Sequence, residues 1–140
     1  VNDTVLGPVD FFIIEFADGR VTADGFAALV DLVDRNVVYV IDIEFLRKGH
    51  DDTVVTVDAH DLGVIGGIDF ADFDGAASRL LDDDDLTVVR DAVSTDAIAA
   101  IVVYEELSIS QVLGAFESAG GRVVAVGPVD SADLDAALDR

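Results

Sequence analysis

Cysteine is absent from the chain, which removes disulfides, thiolate catalysis, zinc–thiolate sites and iron–sulfur clusters together. Methionine and tryptophan are missing as well, and proline occurs only at Pro8 and Pro128. Lysine is represented by Lys48 alone. Eight basic residues stand against 29 acids, mostly Asp, for a net charge of −21. A surface of that sign repels phosphate backbones and anionic headgroups, so neither nucleic acid nor a membrane surface is an expected partner. No apolar run approaches the ~18 residues of a transmembrane helix, and residues 1–7 lack the basic start and apolar stretch of a signal peptide. The expected location is the cytoplasm. The acidity suits an acidic proteome, that of a halophile or a GC-rich bacterium.

Hydrophobic residues make up 51% of the 140 positions, enough for one domain around one core. Two stretches read as the same strand–helix–strand unit. Val9–Phe16 leads through a helix around Phe26–Arg35 into Val37–Phe45, and Ile98–Leu107 leads through Gln111–Ala119 into Arg122–Val129. Two such units predict an α+β fold, a ferredoxin-like sandwich. Its parts are a first βαβ unit over 8–46, an insertion over 47–96, a second unit over 97–129 and a terminal helix over 131–139.

Strands 9–16 and 98–107 carry apolar side chains on both faces, which predicts central strands covered on both sides. The strand over 37–46 alternates, with Val37, Tyr39, Ile41, Ile43 and Phe45 on one face and Asp42 and Glu44 on the other. That pattern predicts a half-exposed, peripheral strand. Helix 23–35 shows the stripe Phe26, Leu29, Val30, Val33, with Thr22 as its expected cap and Asn36 in the left-handed position at its end. Lys48–Asp52 reads as a hairpin turn before a short strand at Thr53–Val57. Asp82–Asp85 opens a helix with Leu86, Val89 and Val93 on one side; carboxylates there are stabilised by free amides and the macrodipole. Ser110 is the expected cap of the following helix, whose Val112, Leu113 and Phe116 should face inward. Arg122–Val126 reads as the last strand, and Ser131 as the cap of the final helix.

Candidate chemistry is confined to carboxylates. Glu15 and Glu105 occupy matching places near the ends of the two presumed central strands, where they could share a proton or hold a cation. Asp82 and Asp84, within the acidic run, are further candidate metal ligands, although a helix start with a solvated face explains that run more simply. Asp69, Asp72 and Asp74 have the wrong spacing for a calcium loop, with Phe70 and Leu81 at ligand positions. His50 and His60 fall in no metal or nucleophile motif and read as surface histidines. Arg20, in the turn before the first helix, is the one plausible anion anchor; some ferredoxin-like phosphatases use an Arg in that loop. No Walker loop, dinucleotide fingerprint, nucleophile elbow or zincin motif is present. No catalytic or cofactor-binding residue is assigned, and no cofactor is expected. Phe11 and Phe12 mimic an RNA-recognition platform, but its basic residues are missing.

Gly7-Pro8-Val9-Asp10-Phe11-Phe12-Ile13-Ile14-Glu15-Phe16 resembles the opening of a family of small acidic actinobacterial proteins of unknown function. Phe45-Leu46-Arg47-Lys48, Leu80–Leu86, Val103-Tyr104-Glu105 and Ala119-Gly120-Gly121 extend the resemblance over nearly the whole chain. Glu106 departs from it, since the family often has an amide there. The resemblance implies a cytoplasmic bacterial protein, in some members fused to a short oligomerising helical tail. It implies no catalytic activity.

Three functional readings follow. The first is a non-enzymatic, oligomeric structural or regulatory domain. The second is a small-ligand or cation sensor using Glu15 and Glu105. The third is a hydrolase or isomerase with carboxylate acid/base groups. The first rests on the sheet. With helices on one face and apolar strands showing on both, something must cover the other face; the insertion over 58–95 or the terminal helix over 131–139 could cover part of it, and a second subunit of a homodimer or larger homo-oligomer is expected to cover the rest.

Overall fold

A computed structural model describes residues 7–76 and 83–127. Its elements are β1 (Val9–Phe16), α1 (Asp24–Asp34), β2 (Val38–Lys48), β3 (Val54–Val57), α2 (Ala59–Leu62), β4 (Val64–Ile65), β5 (Ile68–Asp69), a 3-10 segment (Phe70–Ala76), α3 (Asp83–Ala92), β6 (Ile98–Glu106) and α4 (Leu107–Ser118). The architecture is α+β. Four strands form an antiparallel sheet in the order β1-β6-β2-β3, and β4-β5 make a separate small hairpin.

β6 is the spine. Ile98–Val102 are all buried, because β1 and β2 flank the strand and helices lie over both faces. On one face Ile43, Phe45, Ala100 and Val102 meet α1 and the irregular insertion through Phe26, Ala59 and Phe70. Phe70 is fully buried at the centre of a ring cluster, 5.0 Å from Phe26, 5.5 Å from Phe73 and 5.9 Å from Phe45 between centroids. Burying one such ring contributes about 1.5–3 kcal/mol. On the opposite face Leu46, Ala99 and Ile101 meet Val89 and Val93 of α3. The insertion thus supplies cover to both faces, including the second one, for which the sequence pattern also called on a second subunit.

Several local expectations are revised. β2 is central, not peripheral: it lies between β6 and β3. Its register shifts between Val40 and Asp42, and the bulge reverses the alternation. Ahead of the bulge Val40 packs on the core and Tyr39 is exposed; after it Ile43 and Phe45 keep their inward face, and Asp42, on the opposite face with Leu46, is fully buried because that face is covered too. Thr22 does not cap α1; the capping position is Ala23, which has no side-chain hydrogen bond, whereas Asn36 does adopt a left-handed φ of 58°. Ser110 lies inside the first turn of α4, its hydroxyl donating to Leu107 O. α4 buries none of its residues, so Val112 and Phe116 face outward. Arg122–Val126 forms no strand.

The absence of that strand places β1 differently from expectation. Its bounds are those read from the sequence, but among the described residues β1 pairs with β6 alone and is an edge strand. The expected helix over 131–139 lies outside the described residues. Among the described residues no helix is long and apolar enough to cross a membrane.

Candidate functional site

The two glutamates are not brought together. β1 and β6 run antiparallel, so Glu105 lies opposite Val9 while Glu15 lies opposite Ala99. The two positions are roughly 20 Å apart along the sheet at the rise of a strand. No single ion or proton can bridge them. Matching places in antiparallel strands are opposite ends.

Each carboxylate has a local task instead. Glu105 is buried, and its Oε2 accepts from Gly7 N at 2.7 Å. Gly7 is buried there too; a Cβ on it would lie 2.5 Å from Glu106 O, so only glycine can make this approach. Glu106 N donates to Pro8 O, and together these bonds fix where β1 starts. At the other end Glu15 is exposed and accepts from Ser94 N. Hydrogen bonds from Ser94, the backbone one foremost, hold the Glu15 carboxyl below its usual range; Lys48 adds a little and burial opposes. Asp84 sits exposed in the first turn of α3, and Asp82 lies outside the described residues.

A cluster that the sequence reading missed is formed by Asp58, His60 and Asp74, whose ligand-type atoms all lie within 4.8 Å of one another. Asp58 caps α2 by accepting from His60 N at 2.9 Å, and His60 Nε2 is 3.4 Å from Asp74 Oδ2. The two-residue spacing of Asp58 and His60 was visible in the chain. Asp74 joins them only through the packing of the 3-10 segment on α2. All three groups are exposed, and a helix cap plus a surface side-chain contact accounts for the arrangement. Arg20, the anion candidate, is exposed in a turn where Asp18 accepts from its backbone N–H. His50 is exposed as well, 3.4 Å from Asp96.

The most unusual surface is β1 itself. Its outer edge has no strand neighbour among the described residues. Phe11 is 62% exposed on one face, while Phe12 and Ile14 are exposed on the other. Each face also borders an apolar hollow. One, of about 520 Å³, lies between Phe11, Ile13 and Val103 and the α3 residues Val88 and Val89. The other, of about 250 Å³, lies between Phe12, Ile14 and Phe16 and the α1 residues Phe26 and Leu29. The Phe12 ring stands 5.9 Å from that of Tyr104, whose phenol is pushed up from its ordinary value by burial first and then by Asp10 and Glu106.

Comparison with protein-family models, curated proteins and solved structures finds no match.

Proposed function

We propose that the chain is a cytoplasmic, non-enzymatic assembly module, a structural or regulatory domain on a ferredoxin-like frame, and that the free edge of β1 is its working surface. The supporting observation is the combination at β1 of a backbone edge with no strand partner among the described residues and apolar side chains on both faces. An exposed apolar edge strand is a template for another strand, and proteins that do not use such an edge blunt it with lysine, proline or a bulge. Val9–Phe16 contains no lysine or proline and its register against β6 is continuous; its charged side chains are Asp10 and Glu15, one near each end, and the stretch between them is wholly apolar. An aromatic-rich patch of this kind marks an interaction surface. The self-associating reading also agrees with the resemblance to a family that supplies no catalytic residues.

The net charge of −21 opposes self-association at low ionic strength and is screened at high. Light scattering on a sizing column, over a concentration series in molar sodium chloride, tests the reading. The expected mass is twice the chain's 14.7 kDa or more; a constant monomer mass up to high micromolar concentration overturns it.

A further inference from the structure

We infer that the strand filling the place beside β1 is Arg122–Val126 of a second copy of this chain, exchanged reciprocally together with α4. This rests on the assembly reading above and names the segment that carries it.

Three uncovered features match one another. Among the described residues β1 lacks an outer neighbour. α4 is a 12-residue helix with no buried residue, and its Phe116 is 63% exposed. Arg122–Val126 follows α4 after a short turn, and its Val124 is 79% exposed. A helix with an unused apolar side, followed by a strand-like valine run, is the missing second half of a βαβ unit. Docked on β1, the run extends the sheet by one strand, and the helix lies over the hollow bounded by Phe12, Ile14 and α1.

The junction between β6 and α4 favours a second copy over the same chain. β6 ends at Glu106 and α4 begins at Leu107, with no connecting residue. Leu107 N and Ser108 N both donate to Val37 O, at 2.9 and 3.4 Å. A helix that folds back over its own sheet is normally reached through a loop of about 2–6 residues. Here the same chain would have to unwind the first turn of α4 to make one. Reciprocal exchange keeps the junction as it is, and domain swapping of this sort is a low-cost route to a dimer.

Charge sets the register and disfavours the simplest rival. With Val124 opposite Ile13 in an antiparallel pair, Arg122 falls opposite Glu15, Val123 opposite Ile14 and Val126 opposite Phe11. An opposite-charge cross-strand pair is favourable. Pairing β1 with the β1 of another copy about Phe12 and Ile13 sets Asp10 against Glu15 twice, which like-charge repulsion opposes.

The cysteine-free sequence makes disulfide trapping clean. Ile14→Cys and Val123→Cys chains, each alone, co-expressed, and combined in one chain, are oxidised mildly in molar salt and run on non-reducing gels beside sedimentation measurements. Exchange predicts a cross-linked heterodimer from the co-expressed pair, a cross-linked dimer from the double variant, and none from either single variant. Cross-linking of Ile14→Cys with itself overturns the exchange and leaves the assembly reading standing, as does a dimer in sedimentation that yields no disulfide in any combination. An internal disulfide in a sedimenting monomer overturns both.

Discussion

The ammonium of Lys48 closes the end of α3 on Val93, donating to its carbonyl oxygen at 3.0 Å and to that of Arg90 at 2.5 Å. Lys48 is the last residue of β2, and Asp96 N donates to its own carbonyl. The single lysine of the chain therefore ties the central strand to the helix that covers the second sheet face. A cation at a helix C-terminus is favoured by the orphan carbonyls and the macrodipole. Lys48→Met keeps most of the stem and removes both bonds. We expect a loss of about 1.5–3 kcal/mol, the range for hydrogen bonds to a charged group. Urea denaturation measures it, and a loss below a few tenths of a kcal/mol contradicts this role.

Glu15 predicts an acid limb in the stability curve. Ser94 lowers its pKa in the folded state, so its contribution is fully present above the unfolded carboxylate value. That contribution declines as the pH falls below the unfolded value and is lost once the pH has passed through the depressed folded one. In Glu15→Gln this part of the acid destabilisation should disappear while the neutral-pH fold persists. Thermal melts from pH 7 to pH 3 on both proteins make the comparison; superimposable curve shapes would remove Glu15 from the account.

Glu105 is the structural counterpart. Its buried carboxylate satisfies Gly7 N, so Glu105→Ala should leave a donor without its partner and cost about 1–3 kcal/mol. Amide exchange at the start of β1 should accelerate in the same variant. Unchanged protection at Val9 and Asp10 would mean that the bond to Gly7 does not hold the strand.

Salt should stabilise the fold. With −21 charges on 140 residues, self-repulsion weakens the compact state at low ionic strength and is screened as salt rises. The melting temperature is expected to climb from 10 mM to 1 M sodium chloride. A flat or falling series contradicts it.

The strands were legible where side-chain period decides them. β1 and β6 stand within a residue of the strands read at 9–16 and 98–107. What those runs could not convey is the neighbour of each strand. The same two-sided pattern belongs to β6, which is buried, and to β1, which lies at an edge, because apolar faces record a need for cover and not its source. β2 was misplaced for a different reason. A bulge adds one residue without any marker in the chain, and ahead of Asp42 it reversed which side chains point inward, exposing Tyr39; Asp42 is buried because the face it shares with Leu46 is covered as well. The Glu15–Glu105 pairing failed on strand direction. Asp58, His60 and Asp74 meet through a 3-10 turn that no periodicity announces. Lys48 stood out in the sequence as the lone lysine; its carbonyl partners at the end of α3 depend on tertiary packing.

The central claim is that the β1 edge is an assembly surface, and sedimentation equilibrium of the parent chain beside Ile14→Lys tests it most directly. Ile14 is exposed on β1, so the substitution should leave the monomer fold and its circular dichroism intact while placing a charge in the apolar contact. The account predicts a parent dimer that tightens from physiological to molar salt, and an Ile14→Lys chain whose association is weakened at least tenfold. A parent chain that stays monomeric at high micromolar concentration in both salts, or a variant that associates as tightly as the parent, would contradict it.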